Sequence, residues 1–131
     1  MSEAHEALVR LLVERWNAGD VEGALALYHE DAVQRPGPEW PEQDVVVGRE
    51  QLAANMDYWR EAWQTIDVEI GGIETHGDKV VGQGEWKQRG RVSGVEGTTP
   101  FSIVLTLRDG KIAVIEWFTD HDAAVAAARD A

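Results

Sequence analysis

The sequence predicts an α+β domain in which helices come first and an antiparallel sheet follows. Up to residue 63 the apolar residues recur every three or four positions, which is the spacing of an amphipathic helix. From residue 66 they alternate with polar residues, and β-branched side chains become frequent, as in strands. Asp109-Gly110, which separates two alternating segments, is typical of a tight hairpin turn. Helices segregated from an antiparallel sheet define the α+β class.

Three helices are predicted before the sheet, and each has an apolar stripe. The first ends near residues 17–19 and has the stripe Leu8, Leu11, Leu12 and Trp16. Asp20 is placed to cap a short second helix by accepting from the amide of Glu22 or Gly23. The buried side of this second helix is predicted to be Val21, Ala24, Leu25 and Tyr28. The third helix follows Gly48 with the stripe Leu52, Met56, Trp59 and Trp63.

Four strands are predicted after these helices, over residues 66–70, 79–92, 98–108 and 111–119. Turn-forming residues at 76–78, 93–97 and 108–111 connect them into an antiparallel meander. Asp120 then caps a short, alanine-rich closing helix over 122–129. Prolines make the segment 36–44 irregular, so this segment is a candidate lid.

Length, charge and composition limit the possible function classes. The 131 residues form one domain, 1–131, and no apolar run approaches the roughly 18 residues of a membrane span. A net charge of −12 argues against nucleic acid and anionic membranes as partners. The lack of cysteine excludes disulfides, thiolate zinc sites and a cysteine nucleophile. Because the first residues do not resemble a secretion signal, a cytoplasmic location is expected.

Strand alternation predicts that aromatic side chains point into the space between the sheet and the helices. Trp86 shares a face with Gln88, Gly82 and Gly84, and the two glycines leave either a bend or open volume there. A single tryptophan most often fills a core, but this sequence has six, and Gln88 and Asn55 are expected to accept from buried indole N–H groups. The predicted ligand-binding residues are Trp16, Gln34, Asn55, Trp59, Trp86, Gln88, Phe101 and Trp117.

Several stretches of the sequence carry a resemblance to a known family. They are residues 17–22 with 27–32, residues 47–52, and residues 109–112 leading to 118–120. On these stretches the chain resembles the SnoaL-like and ketosteroid-isomerase-like proteins of the nuclear transport factor 2 superfamily. The resemblance implies a cone-shaped barrel, in which a curved antiparallel sheet wraps around N-terminal helices, as in cystatin-like folds. It also implies a homodimer formed through the outer sheet face, where Val104, Val114 and Phe118 are expected to point.

The catalytic residues of the family are not found at the matching positions. The resemblance places Leu12 at the tyrosine of ketosteroid isomerase, Pro36 at its aspartate base and Ile103 at its second acid. Trp117 stands where polyketide cyclases and limonene epoxide hydrolases carry an acidic residue. None of these side chains can transfer a proton, so steroid-type isomerisation and the usual cyclase mechanism are disfavoured, and no catalytic residue is identified.

The remaining ionisable residues have structural explanations. Glu116 is expected to point outward on its strand, where its candidate partners are Lys87, Arg89 and Arg91. Two further groups lack a diagnostic metal-ligand spacing: His29 with Asp31, and Asp120 with His121 and Asp122. Asp31 is instead expected in a turn after the second helix, and Asp120 at a helix cap. No metal and no cofactor are therefore predicted.

The expected function is small-molecule binding in an aromatic, mostly apolar pocket. The expected partner is a small apolar or aromatic ligand, flat or polycyclic, with one or two oxygens. If the domain is an enzyme, the resemblance implies cofactor-independent isomerase, cyclase, dehydratase or hydrolase chemistry. The alternative is a non-catalytic protein-interaction or dimerisation module whose tryptophans form a solid core.

Overall fold

The structure, a computed structural model, describes residues 2–37 and 45–129. Its helices are α1 (Ser2–Asn17), α2 (Val21–Leu25), α3 (Gly48–Ala62) and α4 (His121–Arg129). Its strands are β1 (Tyr28–Pro36), β2 (Val46–Val47), β3 (Trp63–His76), β4 (Lys79–Gly90), β5 (Glu96–Arg108) and β6 (Lys111–Phe118). These elements confirm the α+β class. The candidate lid falls mainly on residues 38–44, which lie outside the described residues.

The first two helices end close to where the sequence places them. α1 ends at Asn17, as predicted, and Asp20 caps α2 by accepting from the Gly23 amide at 2.9 Å. The prediction that Tyr28 belongs to this helix is wrong, because α2 ends at Leu25 and Tyr28 is the first residue of β1. None of the helices in the described residues combines the length and apolar character needed to cross a membrane.

The described strands form one sheet in the order β2-β1-β6-β5-β4-β3. β3 to β6 make the predicted antiparallel meander. β1 and β2 were not predicted: β1 pairs in parallel with β6, and β2 pairs with its other edge. Trp63 has an extended backbone, with φ −120° and ψ 147°, and it opens β3 instead of ending the third helix. Asp31 lies within β1 and not in a turn.

The turns of the meander confirm the local sequence signals. Asp109 and Gly110 have φ values of 54° and 78°, and a type I′ turn requires positive φ at both positions. Gly77 has a φ of 64° in the turn between β3 and β4. Because these turns fix the register of the strands, they also decide which side chains face inward.

Gly82 and Gly84 of β4 lie where neighbouring atoms leave little space for a side chain. A Cβ at Gly84 would lie 2.2 Å from the carbonyl oxygen of Glu69 on β3, so only glycine fits there. β3 has a register shift between Ile70 and Gly72, close to this approach. A Cβ at Gly82 would lie 3.3 Å from the side chain of Ile103, which fills that space. The space beside both glycines is therefore occupied, by the backbone of β3 at Gly84 and by side chains at Gly82, and the predicted open volume is absent at these two positions.

Helix α4 covers part of the outer sheet face. Val104 and Phe118 are 0% and 4% exposed because they pack with Ala124 and Ala128 of this helix. Both residues take the outer face as predicted, but α4 covers that face at this place. Strand alternation shows which face a residue takes and does not show what covers the face. Asp120 caps α4 as predicted, accepting from the Asp122 amide at 3.2 Å.

The C-terminal end of α1 is fixed to the edge strand β3. The side-chain amide of Asn17 donates to the carbonyl of Val68 and accepts from its amide, both at 2.8 Å. Arg60 of α3 donates to the carbonyl of Trp16 at 2.7 Å, and its guanidinium lies 4.9 Å from the centre of the Trp16 ring. These contacts hold the helices over the inner face of the sheet.

Candidate functional site

A cavity of about 390 Å³ lies between the helices and the inner face of the sheet. α1 and α3 line it on one side, and β1 to β6 on the other. Its lining includes every residue that the sequence predicts as ligand-binding: Trp16, Gln34, Asn55, Trp59, Trp86, Gln88, Phe101 and Trp117. Helical spacing and strand alternation thus identify side chains that the fold brings together. Their role in binding stays a prediction.

Three adjacent strands supply an aromatic surface on the sheet side of the cavity. Trp86 of β4 and Trp117 of β6 are stacked with ring centres 5.4 Å apart and planes 26° apart. Phe101 of β5 lies 5.3 Å from each of them. Trp16 meets Trp86 nearly edge-on, at 5.7 Å and 75°. Stacked and edge-on contacts of this kind are favourable, so the rings support one another.

The indole of Trp16 donates its hydrogen bond to the backbone and not to a side-chain amide. Its Nε1 lies 2.9 Å from the carbonyl oxygen of Ile66. The acceptor is therefore neither of the two side-chain amides, Asn55 and Gln88, that the sequence offers to buried indoles in general, because the junction of α1 with β3 brings a strand carbonyl within reach. Asn55 Oδ1 accepts from Gln34 Nε2 at 3.1 Å, and Gln88 Oε1 accepts from the Thr99 hydroxyl at 3.3 Å.

These two hydrogen bonds leave other polar atoms of the same side chains available to a ligand. Among the described residues, no partner occupies the side-chain nitrogens of Asn55 and Gln88 or the side-chain oxygen of Gln34. Amide groups donate and accept without changing charge. The cavity can therefore hydrogen-bond a carbonyl or hydroxyl group of a neutral molecule.

Tyr28 is a lining residue to which the sequence assigned a structural role. Its side chain is 2% exposed, and burial raises the pKa of its phenol well above the ordinary value. The hydroxyl makes no hydrogen bond to any described residue, although the ring lines the cavity. The helical spacing of Val21, Ala24 and Leu25 continues to Tyr28, so no local signal in the sequence marks Tyr28 as the start of a strand.

Other lining residues were also absent from the predicted site. Thr99 shares a strand face with Phe101, and Ile66, Val68 and Ile70 share a face of β3. Alternation would have placed both groups toward the cavity once the paired strands were known. Trp63 lines the cavity from the start of β3 and not from a helix.

The positions at which the resembled enzymes carry catalytic groups also face the cavity. Leu12, Pro36, Ile103 and Trp117 all belong to its lining. The correspondence with catalytic positions stays a prediction, and the side chains of these four residues cannot exchange protons. In the described part of the chain, no Asp, Glu, His, Lys or Arg side chain lines the cavity.

The other ionisable candidates lie outside the cavity. Asp31 pairs with Arg108 at 3.1 Å, and the ring of His29 contacts the Arg108 carbonyl. His121 hydrogen-bonds the buried hydroxyl of Ser102 at 2.9 Å and helps to hold α4 on the sheet. Within residues 2–37 and 45–129 no cluster of three or more acidic or histidine side chains could hold a metal ion.

The basic residues of β4 pair with residues other than Glu116. Lys87 contacts Glu69 at 2.7 Å, and this hydrogen bond raises the pKa of Lys87. Arg89 pairs with Glu96 at 3.0 Å. The predicted pairing of these cations with Glu116 is wrong, because β5 separates β4 from β6 in the sheet.

Comparison with known proteins places this fold in a family. A family model described as a SnoaL-like domain matches residues 9–115. The chain belongs to the SnoaL-like domain family. The matched region runs from α1 into β6 and so includes most of the elements that line the cavity of this SnoaL-like domain. A comparison of the sequence with curated proteins finds no match.

Solved structures share the fold at low sequence identity. A protein with a ketosteroid isomerase-like fold from Catenulispora acidiphila, solved in complex with trimethylamine, is 15% identical with a TM-score of 0.77, covering 91% of this chain and 89% of that one. An NTF2-like protein of unknown function from Burkholderia pseudomallei is 17% identical with a TM-score of 0.78, covering 94% and 95%. SalBIII, an epoxide hydrolase/cyclase-like enzyme of pyran ring formation in the polyether salinomycin, is 19% identical with a TM-score of 0.78, covering 89% and 91%. These likenesses confirm the nuclear transport factor 2-like fold.

Proposed function

We propose that this SnoaL-like domain binds a neutral, flat small molecule with one or two oxygens in the cavity. The composition of the lining is the observation that carries this proposal. Among the described residues it combines indole and phenyl rings with uncharged amides and contains no charged side chain. Its volume of about 390 Å³ lies within the range of about 300–1,000 Å³ that is usual for small-molecule sites.

The balance of energies favours a neutral ligand over an ion. Each Å² of apolar ligand surface placed against the rings of Trp86 and Trp117 contributes about 25 cal/mol. An ion would give up its hydration and meet no opposite charge in the described lining. Hydrogen bonds to Gln34, Asn55 and Gln88 would orient a neutral oxygen instead.

The lining supports binding better than proton transfer. A general base needs a group that titrates near the working pH, and the described lining has none. Any turnover would therefore depend on orientation and hydrogen bonding, in cofactor-independent isomerase, cyclase, dehydratase or hydrolase chemistry. The fold shared with the epoxide hydrolase/cyclase-like enzyme SalBIII supports this class as the second candidate function.

The cavity also favours binding over the alternative of an interaction module with a solid core. A homodimer through the outer face stays a prediction, and so does a cytoplasmic location. Since Val104 and Phe118 lie under α4, such a dimer would use the charged part of β3 and β4 around Lys87 and Glu69. Sedimentation at high protein concentration tests it, and a monomer contradicts it.

Isothermal titration calorimetry with 1-tetralone, a flat bicyclic ketone, tests the proposed function. We expect saturable binding with one site per chain. Gln88→Ala should weaken binding about two- to tenfold, which is the value of one neutral hydrogen bond. Gln83→Ala is the matched control, because Gln83 is exposed on the same strand and points away from the cavity.

Tetramethylammonium provides the contrasting probe. The related fold from Catenulispora acidiphila was solved with trimethylamine, and indole faces attract cations. We expect 1-tetralone to bind and tetramethylammonium to bind more weakly. Tighter binding of the cation, or no heat of binding with 1-tetralone, contradicts the proposed function.

A further inference from the structure

We propose that the hydroxyl of Tyr28 is the hydrogen-bond donor that selects a ligand carbonyl in this cavity. This inference rests on the proposed function, because it names the group that recognises the ligand oxygen. The ligand accordingly carries a ketone or quinone oxygen, and this oxygen binds at the end of the cavity where β1 begins. Tyr28 is thereby a specificity-determining residue and not part of a proton-transfer mechanism.

The position of Tyr28 is fixed by its backbone. It opens β1 opposite Ile112 of β6, and the guanidinium of Arg49 on α3 donates to its carbonyl through two nitrogens. The amide of Ile112 also donates to the carbonyl of Leu27 at 2.9 Å. Because two elements hold the backbone of Tyr28, its ring has little freedom to move. Less conformational entropy is therefore lost when the hydroxyl binds a ligand.

The hydroxyl is the unusual feature of this buried side chain. Tyr28 is 2% exposed and lines the cavity, and its hydroxyl has no protein partner among the described residues. In the described part of the chain, His5 Nδ1 is the one fully buried side-chain nitrogen or oxygen atom without a partner, so the Tyr28 hydroxyl retains accessible surface. A ligand acceptor in the cavity would therefore replace water at this hydroxyl.

The chemistry of the hydroxyl decides the kind of acceptor. Burial raises the pKa of the phenol, so the group stays protonated and donates throughout the neutral range. Gln34 Nε2 already donates to Asn55 at 3.1 Å, whereas the side-chain nitrogens of Asn55 and Gln88 have no partner among the described residues. A carbonyl oxygen has two lone pairs, so it can accept from Tyr28 and from one of these amides together. A neutral carbonyl oxygen accepts from a phenol without any change of charge, in keeping with the uncharged lining.

A pair of ligands and a pair of variants test this inference. 1-Tetralone and tetralin have the same ring system and differ by a carbonyl in place of a methylene group. Each is titrated by calorimetry into the wild type, Tyr28→Phe and Tyr58→Phe. Tyr58 is the other tyrosine of the chain, 62% exposed and outside the cavity lining, so it provides the matched substitution.

We expect Tyr28→Phe to weaken 1-tetralone binding about fivefold and to change tetralin binding less than twofold. Tyr58→Phe should change neither affinity. If the wild type binds neither ligand, the proposed function fails and this inference fails with it. If the wild type binds both and Tyr28→Phe changes them equally or not at all, only this inference is overturned.

An infrared measurement on the wild type needs no variant. The carbonyl stretch of bound 1-tetralone should fall below its frequency in an apolar solvent, because a donated hydrogen bond weakens the carbonyl bond. In Tyr28→Phe the band should move back toward the apolar value. An unshifted band in the wild type, or the same shift in Tyr28→Phe, overturns the assignment of the donor.

Discussion

The buried phenol of Tyr28 predicts a specific loss of stability at alkaline pH. Its ordinary pKa is 10.0, and burial raises it in the folded state. Below pH 10 both states keep the proton, so this group does not change the free energy of unfolding with pH. Above pH 10 the unfolded chain releases the proton while the folded protein retains it, and stability falls by about 1.4 kcal/mol per pH unit. At pH 11 the wild type has therefore lost about 1.4 kcal/mol through this group.

Urea unfolding of the wild type and Tyr28→Phe at pH 8 and pH 11, followed by tryptophan fluorescence, measures this difference. At pH 8 the variant should be at least as stable as the wild type, because the hydroxyl it removes has no partner among the described residues. At pH 11 the variant should gain about 1.4 kcal/mol relative to the wild type. Tyr58→Phe, at a ring that is 62% exposed, is the control.

Two results would refute this reasoning. If the stability difference between Tyr28→Phe and the wild type is the same at pH 8 and pH 11, the ring is solvated in the folded protein. If the variant is less stable by more than about 1 kcal/mol at pH 8, the hydroxyl has a protein partner and its role is structural.

Three further predictions concern Gly84, the cavity and its charge. Gly84→Ala should lower the free energy of unfolding in urea by at least about 2 kcal/mol, because its Cβ would meet the Glu69 carbonyl at 2.2 Å. The control Gly97→Ala should lower it by less than about 1 kcal/mol, because its Cβ would meet its nearest atom at 3.8 Å. Equal losses in the two variants would contradict the close approach at Gly84. Val68→Phe should fill the cavity and weaken 1-tetralone binding more than about tenfold without lowering the melting temperature, and unchanged binding would place the ligand elsewhere. 2-Naphthoate should bind at least about tenfold more weakly than 2-acetylnaphthalene by calorimetry, and equal affinities would reveal a cation in the site.

Local signals in the sequence predicted the elements that depend on neighbours in the chain. The Asp20 cap, the Asp109-Gly110 turn and the end of α1 each follow from a few adjacent residues. Alternation along β4, β5 and β6 then placed Trp86, Phe101 and Trp117 on the inner face, and the structure stacks their rings together. These inferences hold because short-range geometry determines them.

Pairings between distant segments were not predictable in this way. The helical spacing of Val21, Ala24 and Leu25 continues to Tyr28, so the local pattern predicts a longer helix. Tyr28 is instead a strand residue because β1 pairs in parallel with the distant strand β6. The acceptor for Trp16 is the carbonyl of Ile66, which no side-chain pattern reveals. The cover that α4 provides over the outer face is likewise a tertiary contact.

A nuclear magnetic resonance titration tests ligand binding in the cavity most directly. The indole N–H resonances of ¹⁵N-labelled protein are followed as 1-tetralone is added, and the peaks of Trp86 and Trp59 are assigned with single Trp→Phe variants. Both indoles line the cavity, so their peaks should shift together and saturate at one ligand per chain. If neither peak moves while 1-tetralone is present in large excess, the molecule does not enter the cavity.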